Sequence, residues 1–147
     1  MADAGRRILV ATLVAGTLDI AAAAILALQA GRTPDGMLRG VTSGPFPGAS
    51  GWGTAGAALG LAVHFAIMAV MAALFVLAAD RLPLLKARRL AAGIGYGVAS
   101  WAVMNLIVLP LRWPGIFPHL DPRTVATQLF CHIVLVGIPI ALVAARR

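Results

Sequence analysis

Four long apolar blocks alternate with short polar, Gly/Pro-rich segments along the chain. They run over about Ile8–Ala30, Ala55–Ala79, Leu90–Leu111 and Thr124–Ala145, each bounded by Arg, Lys, Pro or Gly. A hydrocarbon core of about 30 Å is crossed by roughly 20 apolar residues in a helix. Backbone groups in lipid must be satisfied within the segment, and none of the blocks shows the alternating polarity of a barrel strand. The pattern therefore predicts an all-α protein: a four-helix transmembrane bundle, up-down-up-down, filling residues 1–147 as a single integral membrane domain.

The connections add detail. Thr33-Pro34 has the form of an N-cap followed by a proline at the first helical position. It predicts a short interfacial helix over Pro34–Val41, with Met37, Leu38 and Val41 facing lipid. Trp52 suits the headgroup belt. Leu82-Pro83 predicts a turn in the loop between spans two and three. Asp121-Pro122 predicts a cap for span four. Pro110 is expected to end span three, and Pro139 to kink span four by removing a hydrogen bond to Leu135. The Arg6-Arg7 start and Ala27-Leu28-Gln29-Ala30 have the outline of a signal peptide. The run is too long for one, and Asp19 sits in its middle, so it is expected to stay as a span.

Composition narrows the class. Hydrophobic residues make up 61% of the 147 positions and charged residues only 12%, against about 25% charged in a typical soluble domain. This excludes a disordered chain, a nucleic-acid-binding domain and an ordinary soluble enzyme. The net charge of +7 comes from cations placed at the ends of the apolar blocks, where they orient a membrane protein. Arg6, Arg7, Arg81, Lys86, Arg88, Arg89, Arg146 and Arg147 share one side, and Arg32, Arg39, Arg112 and Arg123 the other. Both termini are therefore expected in the cytoplasm. The single cysteine, Cys131, excludes an intramolecular disulfide and any multi-cysteine metal site. It reads as a small buried hydrophobe.

The candidate chemistry lies in polar residues at membrane depth: Asp19 in span one, His64 in span two, Asn105 in span three, and Gln128 and His132 in span four. Each ionisable group in hydrocarbon costs at least about 2.5 kcal/mol, so such groups face the bundle interior. At about 1.5 Å per residue, Asp19 falls near the midplane, His64 and His132 about 4–5 Å toward the outer side, and Asn105 about 7 Å. Four spans thus bring polar groups to nearly one level. Small residues accompany them, as close packing with interhelical hydrogen bonds requires. Gly56 and Gly60 lead to His64 at i+4 intervals, Gly16 and Ala23 share the face of Asp19, and Gly93 and Gly97 lead to Trp101 and Asn105. The expectation is a polar cluster that binds a small ligand or responds to protons. The alternative is a set of hydrogen bonds that only fixes packing. His64 and His132 also permit bis-histidine haem ligation, since imidazole is a common axial ligand. Gly93-Ile94-Gly95-Tyr96-Gly97 is neither a channel filter, having no pore helix before it, nor a dinucleotide fingerprint, having no strand before it. No hydrolase triad or metalloprotease spacing occurs, so a non-enzymatic protein is expected. Its partners are the lipid bilayer and either a membrane-protein partner, as an accessory subunit of a larger complex, or further copies of itself.

Several motifs together carry a resemblance: Gly16-Thr17-Leu18-Asp19-Ile20, Leu38-Arg39-Gly40-Val41-Thr42-Ser43-Gly44, Gly60-Leu61-Ala62-Val63-His64-Phe65, Arg81-Leu82-Pro83, Gly93-Ile94-Gly95-Tyr96-Gly97, Met104-Asn105-Leu106-Ile107-Val108-Leu109-Pro110, and His132. The chain resembles small uncharacterised bacterial four-span inner-membrane proteins and is distantly similar to the YagU-like family. That family shares a His early in span two, a Pro at the end of span three and a His in span four. Its first loop and tail are longer. The resemblance implies a multi-pass bacterial inner-membrane protein, with a loose link to acid tolerance and no defined reaction.

Overall fold

The computed structural model describes residues 2–146. Among them there is no β-strand; the chain is helices and short connections. Four helices are long and apolar enough to cross a membrane, and the protein is a multi-pass membrane protein. They are α1 (Ala2–Gln29), α3 (Gly53–Arg81), α5 (Arg89–Arg112) and α6 (Pro122–Ala144). Two short helices lie between them: α2 (Pro34–Thr42) and α4 (Pro83–Ala87).

The order is up-down-up-down. Arg7, near the start of α1, donates to Asp80 at the end of α3 and to the carbonyl of Ala144 at the end of α6. Three helix ends therefore meet at what we call the termini end; the loop end lies opposite. α1 packs against α3 and α6, and α5 packs chiefly against α6. The core fills the termini half. Ala11 and Ala15 of α1, Met68, Ala72, Phe75, Val76 and Ala79 of α3, and Val136, Ile140, Ala141, Val143 and Ala144 of α6 form one buried cluster. Tyr96 brings α5 to its edge, donating to the Met71 carbonyl at 2.8 Å with its ring 5.0 Å from that of Phe75.

The α5–α6 seam depends on glycine. A Cβ on Gly97 would stand 2.5 Å from the Cα of Ile133, and one on Gly137 would stand 2.7 Å from the backbone nitrogen of Gly97. Only hydrogen fits at those points, so the two backbones touch.

One of the two prolines acts differently from expectation. Pro110 does not end its span: α5 runs on to Arg112. Before each proline the helix widens into a π turn, over Met104–Val108 in α5 and Cys131–Gly137 in α6. The residue preceding each proline bonds back five positions, Leu109 N–H to the Met104 carbonyl and Ile138 N–H to that of Ile133. A proline has no N–H and crowds the turn before it. The wider turn takes up that misfit and re-aims the side chains within it.

The short helix α2 also differs. Its N-cap is as expected, with Thr33 Oγ1 accepting from the Gly36 amide. But Met37, Leu38 and Val41 are half-buried and Thr42 is fully buried. α2 lies against α3, where a Cβ on Gly60 would meet the Leu38 carbonyl carbon at 2.7 Å. Thr42 Oγ1 donates to the Gly56 carbonyl. Burying its apolar side on a glycine face outweighs leaving it in lipid, because the close approach adds dispersion contacts that lipid cannot supply. Arg112 holds the other end, donating to the Gly44 carbonyl at 2.7 Å and the Ser43 carbonyl at 2.6 Å. Leu82-Pro83 does not form a simple turn; Pro83 is the first residue of α4. Asp121 caps α6 as expected, accepting from the Thr124 amide at 2.9 Å. Trp52 is half-exposed beside Phe46, with ring centroids 6.1 Å apart.

Candidate functional site

Asp19, His64 and His132 share the loop half of the bundle, above the core. α1 supplies Asp19 and contacts both α3 and the π turn of α6. The Asp19 carboxyl lies within electrostatic range of both imidazoles. Cys131, beside His132, is buried and lies within range of Asp19.

Each histidine is anchored through one nitrogen. His64 Nε2 lies 2.9 Å from the Gly16 carbonyl, joining α3 to α1. His132 Nδ1 lies 2.9 Å from the Gln128 carbonyl, one turn back on its own helix. A carbonyl only accepts, so each of these nitrogens carries a proton and donates. The other nitrogen, Nδ1 of His64 and Nε2 of His132, is left able to accept or to take a second proton. His64 is 8% exposed, its ring edge-on to Phe65 at 5.3 Å. Phe65 in turn fills the space over Gly16, where a Cβ would meet its ring at 2.6 Å. The Gly16 site thus lets the ring and the imidazole of α3 approach α1 together.

Asp19 is half-buried. Among the described residues it makes no hydrogen bond and no ion pair. It is the only one of the five acidic side chains placed mid-span, and the chain has no Glu.

The other two expected members are arranged differently. Asn105 Nδ2 donates to the Trp101 carbonyl on its own helix at 3.1 Å. Gln128 contributes its backbone carbonyl to His132. Gly56 and Gly60 precede His64 at helical spacing, yet they receive α2 while His64 reaches α1. His119, in the second loop-end connection, is exposed and rests on the Phe117 ring at 4.7 Å. The bis-histidine haem arrangement does not fit. His64 commits its Nε2 to the Gly16 carbonyl and sets its ring edge-on against that of Phe65.

The sequence reading missed two features. One is the π turns, which carry both Asn105 and His132; Pro110 and Pro139 were the available signal. The other is a charged cluster at the termini end. Arg7 is 7% exposed. Its Nη1 and Nη2 donate to the two oxygens of Asp80 at 2.9 and 2.8 Å, and Nη1 also donates to the Ala144 carbonyl at 3.0 Å. Asp3 Oδ2 stands 3.0 Å from Nε, off the N–H direction, so it is a charge contact and Nε has no hydrogen-bond acceptor. Lys86 Nζ donates to Asp80 at 2.6 Å.

Comparison of the chain with family models, with curated proteins and with solved structures gives no match.

Proposed function

We propose that this is a non-enzymatic membrane protein whose Asp19–His64–His132 cluster responds to protons or binds a small ligand carrying hydrogen-bond donors. The observation that supports the reading is the unpartnered carboxyl. A carboxyl at membrane depth that neither donates to nor accepts from its neighbours is expensive. A proton, a cation or a ligand donor relieves that cost. Two imidazoles with one free nitrogen each stand within electrostatic range of it. The likeness to the YagU-like family and its loose link to acid tolerance agree with a proton-responsive role. The excess of cations at the termini end supports a cytoplasmic orientation of that end in a bacterial inner membrane.

The test uses infrared difference spectra of the full chain in lipid vesicles, taken between acidic and alkaline buffer. A protonated-carboxyl component of a group shielded from water, distinct from the components of the exposed Asp3, Asp35, Asp80 and Asp121, is expected in the wild type and absent from Asp19→Asn. That component retained in Asp19→Asn, or absent from the wild type, overturns the reading.

A second reading is an accessory subunit of a larger membrane complex or of a homo-oligomer. One observation favours it: α5 packs by a narrow Gly93–Gly97–Ser100 face and leaves Leu90, Ile94, Val98, Leu106 and Leu111 outward. Co-purification in mild detergent separates the two readings.

A further inference from the structure

At the termini end, α1 and α6 present matching pairs of residues. Arg6 and Val10 are four apart on α1, a spacing that puts them on one face of that helix. Val143 lies in the last turn of α6, and Arg146 lies just beyond its end. The four line a common cleft of about 150 Å³ together with Arg7. α1 therefore contributes a cation with a valine one turn deeper, and the end of α6 contributes a valine with a cation in the residues that follow it. The cleft opens beside a larger one of about 510 Å³, bordered by Asp3, Arg7, Lys86, Ala87, Ala145 and Arg146.

The charges in this region are not equivalent. Arg7 is held by Asp80 and Asp3, and Lys86 by Asp80. Arg6 and Arg146 are exposed and, among the described residues, form no ion pair. The two acids are thus engaged by two cations, and two further cations remain over the α1–α6 seam.

We propose that this seam binds the phosphate group of an anionic phospholipid. Arg6 and Arg146 flank the phosphate, while the partly exposed Val10, beside the buried Val143 that lines the same cleft, receives the first methylenes of an acyl chain. The vertical order, cations toward the helix ends and apolar side chains a turn below, matches the order of headgroup and chain in a leaflet. A basic pocket between transmembrane helices is a recurring headgroup site. A free phosphate shares the charge but has no use for the valines, so the lipid is the source assigned. The site is independent of Asp19 and stands or falls separately from the function proposed above.

The experiment measures binding of dioleoyl phosphatidylglycerol to the full chain in a neutral detergent, with phosphatidylcholine and inorganic phosphate as comparison probes. Phosphatidylglycerol is expected to bind and to raise the melting temperature; the other two are expected to do neither at equal concentration. Arg6→Ala/Arg146→Ala is expected to weaken binding about 30-fold, since each juxtamembrane cation contributes roughly a factor of five. Both side chains are exposed, so the fold is retained, which the melting curve without lipid verifies. Arg32→Ala/Arg123→Ala removes the same charge from the loop end and is expected to bind as the wild type does. Three results each overturn the proposal: undiminished binding by Arg6→Ala/Arg146→Ala, equal binding of phosphatidylcholine, or equal binding of inorganic phosphate. The last would reassign the seam to a free anion.

Discussion

Arg7 and Asp80, 73 residues apart in sequence, form a two-pronged ion pair with N–O distances of 2.9 and 2.8 Å. The guanidinium is almost wholly buried, while the carboxylate side chain keeps 31% of its exposure. The pair fixes the register of α1 on α3, and the added bond to Ala144 fixes α6 as well. Because the planar fork matches both oxygens, lysine is not an equivalent replacement.

Removing one partner is worse than removing both. Asp80→Asn leaves a buried cation without its countercharge and with one acceptor oxygen in place of two, and a loss of about 3 kcal/mol in folding stability is expected. Arg7→Met combined with Asp80→Leu is expected to recover more than half of that loss, because no charge is left stranded. Reversible unfolding in mixed micelles measures both. A double variant as unstable as Asp80→Asn would contradict the stranded-charge account.

The α5–α6 seam gives a second expectation. Gly137→Ala forces a methyl onto the backbone of α5 at Gly93 and Gly97 and is expected to cost about 3 kcal/mol by overpacking. Gly95→Ala, two residues along α5 from Gly93, meets nothing within 4 Å. It is expected to be neutral or slightly stabilising through helix propensity. Melting temperatures of the two variants decide the point.

Much of this was legible in the pattern of residues, for a physical reason. A hydrocarbon solvent imposes a length and a composition on every crossing, so Ile8–Ala30 and its three counterparts are marked out before any packing is known. Thr33-Pro34 and Asp121-Pro122 are local devices, and both caps form as their residue types require. What depends on contact between distant segments was not legible. Gly56 and Gly60 announce a close neighbour without saying which, and the neighbour is α2 rather than another span. Arg7 reads as an orienting charge until its partner on α3 is in view. Of the polar residues at membrane depth, Asp19, His64 and His132 gather around α1. Asn105 turns back onto Trp101, an option that no spacing distinguishes from an interhelical bond.

The cap of α6 supplies a pH dependence outside the membrane. The Asp121 carboxyl accepts from the Thr124 amide, and that bond, with the Thr124 hydroxyl, holds it below its ordinary value of 3.8. A group depressed on folding contributes stability that is complete above its unfolded value and is lost as pH falls through the folded one. Amide protection at Thr124 is therefore expected to be constant above about pH 4 and to decline below it. Asp121→Asn, which keeps an acceptor without a charge, is expected to show no such decline. Equal pH profiles for the two proteins would contradict the assignment.

The central claim is that one carboxyl and two imidazoles at membrane depth act as a unit. Histidine ring 15N spectra of the full chain in lipid bilayers, recorded at one neutral pH for the wild type and for Asp19→Asn, test it most directly. The account predicts that the substitution moves the ring signals of both His64 and His132 while leaving those of exposed His119 in place. Ring signals of His64 and His132 at the same positions with and without the Asp19 carboxylate would contradict it.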